Sequence, residues 1–427
     1  MTLPSSRPPG GVKKRHRPRP LLFLAAGWLG TRALMLWLLT HADSRWLGQG
    51  NVTREVWRLY HDWYLVLAHG TFPTHDPLWQ YPPGAGAVML SPALLPFLSY
   101  FQAFVVLTLV CDAVTTAALA RAGSAPGRSL AGAALWVCGL PLLLHTPLAR
   151  YDVQVTMLGV LSLVAMARRP RVAGVFAALG ALVKVWPALL LLGAPKGRAT
   201  RAAWAGAAVT AVTVLAVLAA AFGHPFSFLR EQGGRGVQIE SLGGTVLLFA
   251  THAGWPGAVR YQYGAIEFVG PYVGGVADAS LALTAVAFAL LLLWRLRSRR
   301  HTPATPFDAA LCAVLLFTVT SRVISPQYMI WLVGLSAVCL TSRHTVQRPV
   351  TALVLAATAV SAVVYPGLYD QVTACTWLGC GLMLLRNGLL LTAAVLSFVR
   401  LWRTTTGRSP AGTGSYPQAR RREPAPA

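Results

Sequence analysis

Apolar residues run along this chain in blocks of about 15 to 24 positions, long enough for membrane crossing, separated by short clusters of charge. Blocks at 21–40, 98–120, 129–146, 152–167, 202–222, 277–296, 307–322, 326–341, 349–366 and 379–402 predict spanning helices, and 85–97 leads into the second. No two-residue alternation of a membrane barrel and no solenoid repeat interrupts the pattern. One stretch breaks the count. Residues 172–194 are flanked by Arg168, Arg169 and Arg171 before and by Lys196, Arg198 and Arg201 after, which puts both flanks on one side. They are too few for two crossings, so the pattern predicts two re-entrant half-helices turning back at Lys184–Pro187, with Pro187 supplying the break.

Composition agrees with an all-α polytopic bundle. Of 427 residues 55% are hydrophobic and 12% charged, and the mean hydropathy is +0.54. These values exclude a soluble enzyme, a secreted disulfide scaffold and a disordered chain. The 37 Lys and Arg against 13 Asp and Glu give a net charge of +24. In a soluble protein that balance would point to nucleic acid. Here most of the cations fall on one side of the predicted helices, the asymmetry that sets membrane orientation, so membrane lipid and not nucleic acid is the expected partner. The reading that follows is a multi-pass plasma-membrane protein with both termini cytoplasmic, basic disordered tails at 1–19 and 404–427, a transmembrane domain at 20–403, and external loops at about 41–83 and 223–276. The first apolar block has no small-residue cleavage site after it and reads as an uncleaved anchor.

Candidate chemistry gathers in the loops on the external side. Residues 53–69 place Val56, Leu59, Tyr60, Trp63 and Leu67 at helical spacing, which predicts a helix along the interface with aromatics at headgroup depth. Glu55, Asp62 or Asp76 held there is placed to act as a general base on a hydroxyl; the plainer reading is an amphipathic helix whose charges face water. Arg150 and Asp152 fall at the hydrocarbon boundary, either paired as a structural link or divided between a phosphate and a sugar hydroxyl. Lys184 lies deep in its segment and either snorkels or contacts a phosphate. The second loop interleaves Arg235, Gln238 and Glu240, residue types that suit a sugar phosphate. Arg322 and Gln327 flank a helix-breaking Pro326 at the same boundary. No CxxC pair, HExxH or clustered Asp-x-Asp signals a metal, and no cofactor is expected. Cys375 and Cys380 either bond to each other or remain thiols.

The segments Trp79-Gln-Tyr-Pro-Pro-Gly84, Arg150-Tyr-Asp152, Ala181-Leu-Val-Lys184-Val-Trp-Pro187, Gln238-Ile-Glu-Ser241 and Ser325-Pro-Gln-Tyr328 together resemble the polyprenyl-phosphate-dependent mannosyltransferases of glycosyltransferase family 87, within the GT-C superfamily. The resemblance runs from about 21 to 400 and implies inverting transfer of mannose from a polyprenyl-phosphate sugar to a glycolipid or glycan acceptor on the outer face. It implies an acid in the first loop as base, phosphate contacts from Arg150, Lys184, Arg235 and Arg322, and sugar or acceptor contacts from Trp79, Tyr81, Asp152, Gln238, Glu240 and Gln327. The family pattern has an Asp four residues before a Tyr that precedes a Gly by ten. Tyr60 and Gly70 keep the second spacing, but Val56 stands where the Asp would be and Glu55 is one residue further back. Glu55 is therefore the first choice for the base, with Asp62 and Asp76 in reserve. A flippase for a lipid-linked sugar and an inactive envelope scaffold are the competing readings.

Overall fold

The computed structural model describes residues 19–74, 76–231 and 236–407. The predicted tails lie outside those residues, except that Arg19 opens the first helix, residues 404–406 continue the last and Gly407 follows it.

Every predicted span is a helix. α1 (Arg19–Thr40) leads to a first loop folded as α2 (Asn51–Arg54), a π-helical turn at Glu55–Tyr60, α3 (His61–Ala68) and α4 (Ala85–Leu90). α5 (Tyr100–Gly123), α6 (Ala131–Gly139) and α7 (Asp152–Ala165) run alternately down and up the bundle, followed by α8 (Pro170–Val183), a 3-10 segment at Trp186–Gly193 and α9 (Arg198–Ala221). The second loop holds α10 (Phe228–Glu231), β1 (Val237–Gln238), α11 (Leu242–His252), β2 (Ala258–Gln262) and β3 (Ala265–Val269). α12 (Val273–Arg297), α13 (Thr305–Thr320), α14 (Tyr328–Leu340), α15 (Arg348–Ala362), α16 (Tyr369–Thr373) and α17 (Trp377–Thr406) complete the chain. The structure is 72% helical, and among the described residues six helices are long and apolar enough to cross a membrane.

Burial sorts these helices into two layers. α13 and α14 are enclosed almost throughout, whereas the windows of α1 and α9 that could span are only 11% buried and that of α12 22%, so their apolar side chains face outward. A helix that is hydrophobic all round and wrapped by others belongs at the centre. The central helices are also short. The 13 residues of α14 and 14 of α7 rise only about 20 Å, against a hydrocarbon layer of ~30 Å. Their connections, Arg150–Tyr151 and Ser321–Gln327, are unwound chain at one end of the bundle. Irregular backbone at that depth is tolerated only where protein or a cavity surrounds it.

The re-entrant segment has the expected form. α8 ends at Val183, Lys184 is extended (φ −157°, ψ 125°), and Pro187 falls in the first turn of the returning 3-10 segment. Ser162 donates to the Ala173 carbonyl at 2.8 Å, closing the α7–α8 hairpin, and α9 then packs on α8 through small residues. A Cβ on Gly174 would strike the Ala203 carbonyl oxygen and one on Gly206 that of Arg171.

Two features go beyond the sequence expectation. In the apolar stripe of the first loop, Val56, Tyr60, Trp63 and Leu67 are buried against the bundle. Tyr60 meets Phe104 of α5 with ring centroids 5.7 Å apart. The second loop also carries a small antiparallel sheet in the order β1-β3-β2, closed by a two-residue turn at Tyr263–Gly264 with both φ positive (53° and 75°).

α1 is held by one buried ion pair. Arg32 donates to both oxygens of Asp112 on α5 at 2.7 Å and to the Val137 carbonyl at 2.7 Å, while Trp28 and Trp136 also donate to that carboxylate at 2.6 and 2.7 Å. Every atom of the pair that needs a partner has one. Removing a single partner leaves a buried charge uncompensated, so Asp112→Leu or Arg32→Met should each destabilise the protein by about 3–5 kcal/mol, and the double replacement should recover most of that. Unfolding followed by helical circular dichroism in detergent measures all three; a double variant no better than the singles would refute the pairing.

Candidate active site

The unwound connections meet at one end of the bundle and bring two ion pairs together. Asp152 opens α7 and is fully buried; its Oδ1 accepts from Lys184 Nζ at 2.7 Å and from Trp331 Nε1 of α14 at 2.6 Å, while Oδ2 is closed from solvent without a partner. The Lys184 ammonium sits over three rings, 4.8 Å from Trp331, 4.9 Å from Tyr151 and 5.3 Å from Tyr328. Such rings stabilise a cation without neutralising it. Lys184 neither snorkels nor sits alone. It is fixed where α8 breaks, and its side chain keeps 14% exposure.

Arg150 does not pair with its sequence neighbour Asp152. It turns to Glu55, Nη2 to Oε2 at 2.6 Å, and also donates to the carbonyls of Val52 and Ala149 and to the Tyr365 hydroxyl. Backbone geometry explains the divergence: Arg150 is extended while Asp152 starts a helix, so their side chains leave in different directions. The Tyr60 hydroxyl donates to the other Glu55 oxygen at 3.0 Å. The π-helical turn makes this contact, because its widened ring brings positions five apart onto one another. Glu55 is 26% exposed in its side chain, Arg150 only 5%. A shelf of rings joins the two pairs, with Tyr151 lying 5.9 Å from Tyr60 and 5.3 Å from Tyr81.

The first loop is held against this end by aromatic packing and by one close backbone approach. Trp79 is wholly buried against Trp63, Phe72 and Tyr81. Asp76 accepts from Trp63 Nε1 at 2.7 Å and from the Leu78 amide at 2.9 Å. Gly84 lies against the Leu182 backbone; a Cβ there would stand 2.6 Å from the Leu182 carbonyl oxygen, two residues before Lys184. Asp62 is exposed on α3.

From the second loop, Gln238 stitches across to the α13–α14 connection. Its amide donates to the Arg322 carbonyl at 3.0 Å, and its side-chain oxygen accepts from the Ile324 amide at 2.8 Å. Gln327 is half-buried at the start of α14. Glu240 is an anchor: Arg386 of α17 donates to its Oε1 at 3.0 Å and to its carbonyl, Gln238 donates to its Oε2 at 3.3 Å, and Asn387 holds its carbonyl and that of Ser241. The β2–β3 hairpin closes over the first loop. Tyr261, Gln262 and Tyr263 with Asp76, Pro77 and Leu78 line an open cleft of about 500 Å3. Partial burial, with the nearby Glu55 and Asp76 carboxylates, holds the Tyr261 phenol above its usual pKa. Arg235 lies outside the described residues. Among the described residues no group of three or more His, Cys, Asp or Glu is placed to hold a metal, and Cys375 and Cys380 are free thiols.

Three side chains here escaped sequence reasoning, Tyr151, Tyr328 and Trp331, and Tyr60 was read for its spacing but not as a partner of Glu55. Tyr151 and Tyr328 stand inside the quoted segments, and Trp331 follows Tyr328 by three on one helix face, the spacing that stacks their rings 3.9 Å apart.

The geometry is that of a helical membrane bundle with paired charges gathered at one end. The model of glycosyltransferase family 87 matches residues 79–326, more than half of the chain, and the chain belongs to that family. The match takes in Asp152, Lys184 and the second loop and begins after Glu55. No curated protein matches the sequence.

Gly84→Ala should force the first loop away from Leu182 and destabilise the protein by about 1–3 kcal/mol, as overpacking does. Thermal unfolding of the purified variant checks this; an unchanged midpoint would show that the approach is looser than described.

Proposed function

We propose that the protein transfers a sugar, mannose, from a polyprenyl-phosphate donor to a hydroxyl of a glycolipid or cell-envelope glycan at the outer face of the plasma membrane, with inversion. The observation that carries this reading is the presence, on either side of Tyr151, of a partly exposed carboxylate (Glu55) and a partly exposed ammonium (Lys184), both fixed from behind. A prenyl chain is at home in the bilayer, so a donor presents its phosphate and sugar at the bundle end where the unwound connections meet.

In this mechanism the Glu55 carboxylate takes the proton of the acceptor hydroxyl as that oxygen bonds to the anomeric carbon. The bond from that carbon to the phosphate oxygen breaks, and its electron pair stays on the phosphate. Lys184 stabilises the charge that grows there, and because that charge is greatest as the bond breaks, the contact favours the transition state over the ground state. Attack from the side opposite the leaving group inverts the centre. Asp152 and Trp331 hold Lys184 in place, and Arg150 with Tyr60 orients Glu55. Asp76, at the edge of the open cleft, is suited to a sugar or acceptor hydroxyl, and Arg322 and Gln327, on the connection that leads into α14, to the donor phosphate and sugar.

Purified protein should form a covalent mannosylated lipid from polyprenyl-phosphate mannose and envelope lipid extract. Glu55→Gln should abolish product in protein that still unfolds cooperatively, with a lowered midpoint because the buried Arg150 loses its counter-ion, and Lys184→Met should lower kcat by about 10²–10³-fold, the loss typical of one charge-stabilising donor. Product counted by mass spectrometry decides. Full activity of Glu55→Gln removes that residue from the role, and movement of the sugar lipid across liposomes with no covalent product overturns the enzyme reading.

A further inference from the structure

A second polar pocket lies at the opposite end of the bundle, where nothing in the transfer reaction calls for one. It has a volume of about 400 Å3 and is lined by Lys196, Gly197, Thr200, Arg201, Arg295 and Leu296, at the start of α9 and the end of α12. The far end of α9 meets the first loop, where the Phe72 amide donates to the Gly223 carbonyl. The 24 residues of that helix therefore set the pocket about 36 Å from the point where α9 meets the first loop.

Its lining carries three cations, Lys196, Arg201 and Arg295. Arg295 Nη2 donates to Thr200 Oγ1 at 2.8 Å, but Nη1 of the same guanidinium is closed from solvent and has no partner. Lys196 is steered into place by the Ser298 carbonyl at 2.6 Å, a contact that leaves its charge intact. Among the described residues no acid forms an ion pair with Lys196, Arg201 or Arg295. The positive end of α9 opens into the same space, which adds to its attraction for an anion. Partial burial, together with Arg295 and Lys196, also holds the nearby His301 below its usual pKa.

We propose that this pocket binds the phosphate of an anionic membrane lipid whose acyl chains lie along α9 and α12. The walls argue for a lipid over a soluble phosphate. Above the pocket both helices expose apolar side chains, Val209 at 67% and Val212 at 68% on α9 and Leu292 at 57% on α12. A headgroup held here pins together two helices that contribute little buried surface of their own, and fixes the 3-10 return of the re-entrant segment, which ends at Gly193 three residues before Lys196. The inference stands apart from the transfer reaction.

The test uses the full chain in detergent, with native mass spectrometry after addition of phosphatidylglycerol or phosphatidylcholine. Wild type should retain one phosphatidylglycerol and release phosphatidylcholine. Arg201→Gln/Arg295→Gln should retain about tenfold less, whereas Arg299→Gln/Arg300→Gln, at exposed cations outside the pocket, should match wild type. Lys196→Gln serves as a milder variant should the first pair not fold, and should also lose retention. The proposal falls if the pocket variants retain the lipid as wild type does, if the Arg299/Arg300 variant loses as much, if phosphatidylcholine is held equally, or if millimolar inorganic phosphate displaces the lipid, which would mark a site for a soluble anion.

Discussion

The architecture of the candidate site turns on the carboxylate of Asp152. It is buried at the first turn of α7, and one of its oxygens receives both the Lys184 ammonium and the Trp331 indole. Three separate segments, the start of α7, the break after α8 and the first turns of α14, are thereby tied to a single atom. A charge at that depth is tolerated only when it is compensated. Compensating it obliges α8 to stop, because an unbroken helix would carry Lys184 past its partner. The extended residue and the 3-10 return, with Pro187 barring a continued helix, are the local backbone that satisfies that anion.

The first loop solves a related problem in a different way. Its helix is stapled to the bundle by buried aromatic side chains, and the widened turn at Glu55–Tyr60 rotates one carboxylate toward Arg150. Arg150 gives its other Nη donors to backbone carbonyls and a tyrosine hydroxyl, while its Nε is buried without a partner, so its terminal nitrogens act as a bracket for Glu55. Lys184 is the cation with room for a ligand. The two pairs thus divide the labour that the sequence had assigned to Arg150 and Asp152 as neighbours.

What could be read from the sequence follows from what the bilayer demands. A crossing helix needs a long apolar run, and such runs are visible without any knowledge of tertiary structure, which is why each predicted span appears as a helix and the hairpin at Lys184 turns where expected. Pairings were not legible, since they depend on the direction in which each side chain leaves the backbone: Arg150 and Asp152, two apart, part company, while Glu240 and Arg386 meet across 146 positions. The β1-β3-β2 sheet was hidden because β1 has only two residues, too few for alternation, and its turn is Tyr-Gly in place of the usual Asn-Gly. The packing partner of the first-loop aromatics was hidden for a similar reason, as an amphipathic stripe says that one face is buried but not against what.

The clasp between Arg32 and Asp112 has a bearing on how the protein is made. The two residues lie 80 positions apart, so α1 leaves the ribosome well before its counter-ion exists. A lone guanidinium in hydrocarbon is expensive, and the first helix therefore gains from staying close to the insertion machinery, or to water, until α5 arrives to neutralise it. Biogenesis of this bundle would then be a matter of delayed release, with the amino-terminal anchor surrendered to lipid only as part of a preassembled pair.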